Sequence, residues 1–155
     1  SPALPLIGGG KTRFQPVYVG DVARAVAVAV ANPASAGQTY ELGGPAVLTF
    51  RQILELVLSE TQRRRFLLPL PFGVANLIGQ LGNLMALTPI PPPLTTDQVA
   101  QLKVDNVANP ALPGLAELGI EATAVESVVG SYLYRYRKGG QFAEPPELDT
   151  GVTPA

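Results

Sequence analysis

The sequence TRFQPVYVGDVARAVAVAVAN, residues 12–32, decides the fold class of this chain. Phe14, Val17, Tyr18 and Val19 form a short β-prone run, and Gly20-Asp21 then opens an apolar helical run over 22–31. Asp21 has the chemistry of an N-cap, because its carboxylate can accept from the unpaired N–H groups of a first helical turn and lies favourably against the helix dipole. Beyond it Ala and Val fall on every face, with Arg24 the single charge. A surface helix shows a polar half, so this pattern predicts a helix buried on several sides. Strand, polar corner and buried helix make half of an α/β unit.

On the C-terminal side, Asn32-Pro33 ends the helix and residues 34–37 turn the chain. Alternation in Gln38-Thr39-Tyr40-Glu41-Leu42 predicts a strand, ended by Gly43-Gly44-Pro45. Thr49 with Gln52 is a capping-box pattern opening a helix to about residue 62. Its apolar stripe is Ile53, Leu54, Val57 and Leu58, with Arg51, Glu55 and Glu60 largely off it. On the N-terminal side, residues 1–10 show no regular pattern and end in Leu6-Ile7-Gly8-Gly9-Gly10, which reads as a loop. Pro16 limits the first strand to an edge or irregular form, since it cannot donate to a ladder.

Residues 66–96 contain no charge. Pro69 and Pro71 interrupt the start and Pro89, Pro91, Pro92 and Pro93 the end, leaving fewer apolar residues than the roughly 20 a bilayer span needs. Between them residues 72–87 read as a helix, with Val74, Leu77, Ile78, Leu81, Leu84 and Met85 at helical spacing and Asn76, Gln80 and Asn83 on other faces with glycines. This stretch admits intradomain packing, a partner-protein interface through Leu77, Ile78, Leu81, Leu84 and Met85, or direct lipid contact. Thr95 or Thr96 caps a further helix, residues 115–118 form a helical turn stopped by Gly119, and Thr123 with Glu126 repeats the capping box. The last helix carries Val125, Val128, Val129, Tyr132, Leu133 and Tyr136, with Arg135, Arg137 and Lys138 at its end. Two parts follow: a folded unit over 1–138 and a Gly-, Pro- and acid-rich tail over 139–155, expected to be flexible.

Composition removes whole classes of chemistry. Without Cys or His there are no disulfides, thiolate nucleophiles, zinc-hydrolase sites or Ser-His pairs. A formal charge of -1 creates no field for nucleic acid. The basic run Arg63-Arg64-Arg65 reads either as cations at a helix C-terminus, where they suit the dipole, or as a phosphate contact to nucleotide or lipid. Asp21 reads as a cap, and Tyr18 and Tyr40 as aromatics at the core edge. No residue stands out as catalytic, and no metal site is expected.

The runs FQPVYVGDVA (14–23), GQTYELGG (37–44), LTFRQIL (48–54) and LTTDQVAQLKVDNV (94–107) resemble the C-terminal half of extended or atypical short-chain dehydrogenase/reductases. Within that superfamily the chain is most similar to the nucleotide-binding accessory subunits of respiratory complex I, the NADH:ubiquinone oxidoreductase, and their bacterial relatives. The resemblance covers roughly 4–136. It implies an α/β fold: the distal part of an NAD(P)-binding Rossmann-like domain plus a mostly helical substrate-side lobe with few short strands. It also implies that Arg13 and Gln15 border a substrate pocket, an alternative to their being ordinary edge-strand side chains.

The family holds NAD or NADP on a Gly-rich turn opening a helix, and no such motif occurs here; Gly8-Gly9-Gly10 leads into a charged turn and Gly43-Gly44 into Pro45. The family's Tyr-x-x-x-Lys pair has only one spacing match, Tyr134 and Lys138, at the wrong end of the chain. The chain is therefore expected to be the distal half of a longer protein whose missing N-terminal half binds NADP or NAD, with no cofactor held by these residues alone. The implied role is a non-catalytic accessory or assembly subunit of complex I, with complex I subunits as partners and peripheral association at the inner face of a bacterial inner membrane. Two alternatives stay open: the substrate-binding half of an active reductase or nucleotide-sugar epimerase, and a stand-alone interaction module. In the last, residues 14–19, 38–42 and 66–70 would close into a small sheet.

Overall fold

A computed structural model describes residues 2–85, 92 and 94–142. Strand β1 (Ala3–Ile7) pairs in parallel with β4 (Phe66–Leu70), from Ala3 opposite Phe66 to Ile7 opposite Leu70. The expectation of a loop over 1–10 is thus corrected. Pro5 and Pro69 hide both strands from pattern reading, yet each is tolerated because both strands of a two-stranded sheet are edges. Strand β2 (Arg13–Phe14) pairs antiparallel with β3 (Leu48–Thr49), and Phe14 also bridges Asn106 in parallel. The three-stranded sheet of 14–19, 38–42 and 66–70 does not form.

Helix α1 (Val19–Ala31) starts earlier than expected, with Tyr18 at the N-cap and no side-chain cap bond. Asp21 therefore lies inside the first turn and is not its cap; it is fully buried and turned toward Thr123. Burial of α1 on several sides also fails in this chain. Only Asp21 and Ala25 are buried, while Val19, Val26 and Val30 are 66%, 57% and 83% exposed. Residues 38–42 are not a strand among the described residues. One backbone bond, Glu41 N–H to the Pro113 carbonyl, holds them beside the core, too few contacts to build a ladder.

Helix α2 (Phe50–Glu60) has its capping box complete: the Gln52 N–H donates to the Thr49 hydroxyl and the Thr49 N–H to the Gln52 side-chain Oε1. It ends at Thr61 and Gln62, where the Gln62 N–H bonds the Ser59 carbonyl and the Arg63 N–H the Leu58 carbonyl. This closure puts Gln62 at φ 52, the left-handed region glycine prefers. Arg63, Arg64 and Arg65 lie beyond it, and the guanidinium that reaches a last-turn carbonyl of α2 is that of Arg137, 2.7 Å from the Glu60 oxygen. The reading of the triple arginine as the helix-end cations is corrected accordingly.

Helix α3 (Phe72–Met85) buries Ala75, Gly79 and Gly82, not its leucines. The backbone at 94–96 lies so close that a Cβ at Gly82 would stand 1.9 Å from the Leu94 carbonyl oxygen. Helix α4 (Thr96–Gln101) has Thr95, one of the two expected threonines, as N-cap, and Gln98 completes a capping box not read from the sequence. A 3-10 turn over Ala116–Leu118 is stopped by Gly119 in the left-handed conformation. Helix α5 (Val125–Leu133) has Ala124, not Thr123, at its N-cap, because the Asp21 carboxylate takes the Thr123 hydroxyl. A charged acceptor is the stronger partner. The expected continuation of α3 over 86–87 lies outside the described residues, as does the expected flexible tail over 139–155 except for 139–142, where a 3-10 turn forms over Gly140–Phe142.

Two small clusters make the core. Ala25, Leu115, Leu118 and Ile120 pack with Val17, Tyr40 and Leu42; Ile7, Ala75 and Val99 pack with Leu70, Phe72 and Leu94.

Candidate functional site

Polar groups from three segments converge on a concavity around Gln15. Pro16 ends ladder formation after β2, so the Gln15 side chain is free to act as a bracket. Its Nε2 donates to the Gly44 carbonyl at 2.8 Å, and its Oε1 accepts from the Ala108 N–H at 3.1 Å. A primary amide has two donors and two lone pairs, so one of each remains for a ligand. Gly43 and Gly44 permit this approach: a Cβ at Gly43 would strike the Gln15 amide, and one at Gly44 would lie 1.8 Å from the Pro16 carbonyl oxygen.

Two clefts of about 730 and 630 Å³ share Gln15, Glu41, Val107 and Ala108 in their walls. Glu41 accepts from the Asn109 N–H through Oε2 at 2.6 Å. Gln15 and Glu41 thus give these clefts an amide and a carboxylate, bonded to the neighbouring N–H groups of Ala108 and Asn109. Such a pair suits hydroxyl-bearing or amide-bearing ligands, which need both donors and acceptors. Arg13 stands beside this region but is engaged: its backbone N–H and guanidinium both bond Asp105, at 2.8 and 2.9 Å, with the arginine side chain 62% exposed. The Arg13 backbone N–H, then its guanidinium, hold the Asp105 carboxyl below the ordinary carboxylate range.

A third concavity, about 330 Å³ and almost wholly apolar, lies between the start of α1 and α5. Val17, Val19, Val125, Val128 and Leu133 line it, with Thr123 at its polar edge. Behind Thr123, buried Asp21 accepts from the Thr123 N–H at 2.7 Å and its hydroxyl at 2.9 Å, and pairs with Arg24. The Thr123 N–H leads in holding the Asp21 carboxyl below its ordinary value, against the opposing pull of burial. Asp21 is therefore a locked anion that fixes α1 against the segment before α5, and every acceptor bond it makes argues for positioning over proton transfer.

The remaining predicted residues sit apart. Leu77, Leu81 and Leu84 on α3 are 60%, 58% and 66% exposed and Met85 is 37% exposed, while Ile78 is half-buried. Tyr134 begins a 3-10 turn over Tyr134–Tyr136 and Lys138 lies past it, so the two share no helix face. The glycine runs do not fit a dinucleotide: neither opens an α-helix, and a Cβ at Gly8 would meet the Phe72 ring. Sequence reasoning missed Glu41 and Thr123. The alternation of 38–42 put Glu41 on the face opposite Tyr40 and Leu42, a usable signal; nothing local marks Thr123, whose partner is 102 residues away.

The chain is α/β with helices predominating and a few short strands, consistent with the C-terminal part of a Rossmann-like fold. No protein-family model matches it. It is similar to the mitochondrial NADH dehydrogenase [ubiquinone] 1 alpha subcomplex subunit 9 of Arabidopsis thaliana, 35% identical over 143 residues, which covers 88% of this chain and 36% of that protein. The subunit of the same name from Rattus norvegicus is 35% identical over 136 residues, covering 87% and 35%. The mitochondrial NADH-ubiquinone oxidoreductase 40 kDa subunit of Neurospora crassa is 28% identical over 141 residues, covering 91% and 37%. The resemblance carried by the motifs at 14–23, 37–44, 48–54 and 94–107 is thus the relationship found across nearly the whole chain. The chain spans about a third of the length of these relatives.

Proposed function

We propose that this chain is the substrate-side half of an NAD(P)-binding, short-chain dehydrogenase/reductase-like accessory subunit of NADH:ubiquinone oxidoreductase. It performs no redox step of its own. NADP or NAD is held by an N-terminal half, while these residues contribute the Gln15–Glu41 clefts and surfaces toward complex I subunits. In a bacterium the protein works at the inner face of the inner membrane, docked through those subunits. Among the described residues no helix is long and apolar enough to cross a membrane.

The observation that carries this reading is the bare apolar face of α1, where Val19, Val26 and Val30 are exposed beside a fully buried, fully bonded Asp21. A helix anchored so firmly on one side and left apolar on the other is built to be covered by more protein. The test is a fluorescence titration of NADPH and NADH against this chain and against the longer protein that includes the N-terminal half. Binding by the longer protein only, without turnover of carbonyl or nucleotide-sugar substrates, is the expected result. Tight binding by the 155 residues alone would sink the division of labour, and turnover would convert the accessory subunit into an enzyme.

A further inference from the structure

Six of the eleven cationic side chains, Arg63, Arg64, Arg65, Arg135, Arg137 and Lys138, fall in two short segments far apart in the chain. The fold joins them. Arg63 donates from Nε to the Tyr136 carbonyl at 3.0 Å, Arg137 clamps Glu60 through its backbone and side-chain oxygens at 2.7 and 3.2 Å, and Arg63, Arg64, Arg65 and Lys138 line one concavity. Arg63 and Arg137 are thus structural. Arg64, Arg65 and Lys138 have no carboxylate partner among the described residues and stand exposed. The single nearby acid with a described partner, Glu60, is spent on Arg137.

Large apolar side chains close in sequence to these cations also stand in the open. Phe66, next to Arg65, is 76% exposed; Tyr136 is 55% and Phe142 85% exposed. Leu68 adds a further exposed group on β4, at 56%. Cations alone are the mark of a solvated surface, and apolar groups alone of a protein contact. Their combination, with aromatic and aliphatic groups beside unpaired Lys and Arg, matches the headgroup zone of an anionic bilayer, where cations meet phosphates and rings enter the acyl boundary.

We propose that Arg64, Arg65 and Lys138, with Phe66 and Phe142, form a docking surface for an anionic phospholipid bilayer. The ligand chemistry is the phosphodiester headgroup. Contact is peripheral, and it is independent of the complex I reading because it requires no protein partner. Gln62, in the left-handed region, closes α2 immediately before the triple arginine, so Arg64 and Arg65 lie outside the helix.

The experiment is flotation of the purified longer protein, and of this chain, with vesicles of phosphatidylcholine alone or mixed with phosphatidylglycerol. Preferential binding to the anionic vesicles, weakened by salt, is expected. The triple variant Arg64→Ala/Arg65→Ala/Lys138→Ala should lose about 100-fold in partitioning, about fivefold per cation. Phe66→Ser/Phe142→Ser should weaken binding while leaving the salt dependence unchanged. Arg63 and Arg137 stay untouched, so the fold is preserved, and circular dichroism checks each variant. Equal binding to neutral vesicles, an unaffected triple variant, or failure of the folded protein to float with anionic vesicles would each overturn the proposal. Release by millimolar inorganic phosphate at constant ionic strength would overturn it too, by assigning the hollow to a free phosphate. Because the readout is lipid partitioning, it stands or falls separately from cofactor titration.

Discussion

Helices α1 and α2 are of similar length, yet they stand in opposite relation to their own surroundings. On α2 the half-buried positions are Phe50, Ile53, Leu54, Leu56, Val57, Leu58 and Glu60, and Arg51, Gln52, Glu55 and Ser59 are exposed, so composition and environment agree except at Glu60, which is paired with Arg137. Its start is closed by Thr49 and Gln52, its end by Gln62 and Arg137. Helix α1 is apolar all round but buries only Asp21 and Ala25. The difference teaches that a helix's composition records the environment it was selected in. Where the two disagree, as along Val19, Val26 and Val30, the missing environment is itself a structural prediction.

The comparison breaks most sharply at the buried anion of α1. Asp21→Ala removes the acceptor of the Thr123 N–H and hydroxyl and the partner of Arg24, leaving buried groups unpaired. A fall in Tm of roughly 5–10 °C by calorimetry is expected, with loss of the apolar concavity beside α5. The same anion sets an acid limit. The folded pKa of Asp21 lies below its unfolded value, so its contribution is complete above the unfolded pKa of about 3.9 and lost as pH falls through the folded one. Stability is therefore flat from neutrality to about pH 5 and declines below about pH 4, and the variant's decline is shallower.

Helix α2 should respond by smaller, local amounts. Thr49→Ala removes the hydroxyl half of the capping box and costs about 1 kcal/mol in urea denaturation. Gln62→Gly works in the opposite direction. A side chain in the left-handed region costs about 1–2 kcal/mol, part of which glycine returns through its freer unfolded chain, so a net gain of about 0.5 kcal/mol is expected. A loss of stability on this substitution would show that the Gln62 side chain holds the triple arginine in place.

What was legible in the sequence was local chemistry. The capping box at Thr49, a threonine cap at 95 or 96, the stop at Asn32-Pro33 and the stop at Gly119 follow from bonds spanning a few residues. Features set by distant partners were not legible. Strand β1 needs β4, about sixty residues on, and both carry a proline that masks the pattern. Asp21 reads as a cap until Thr123 is brought to it, and the Thr123 cap then fails for the same reason. On α3 the conspicuous leucines were read ahead of the glycines, yet backbone contact at Gly79 and Gly82 made the small face the buried one. The site divides likewise. Arg13 and Gln15 were visible through resemblance, whereas their partners Asp105 and Ala108 lie more than ninety residues away.

The smallest effect carries the most information about α1. Val26 is 57% exposed, and serine has nearly the helix propensity of valine, so Val26→Ser should change the stability of this chain by no more than about 0.5 kcal/mol. In a longer protein whose N-terminal half covers that face, as proposed above, the same substitution withdraws a buried aliphatic group and should cost about 2 kcal/mol. Measuring the pair of values isolates what covering α1 contributes, since every contact within the chain cancels between them. Equal small values in both proteins would mean that the valine face stays bare, and the reason for an all-apolar α1 would have to be sought at a partner subunit instead.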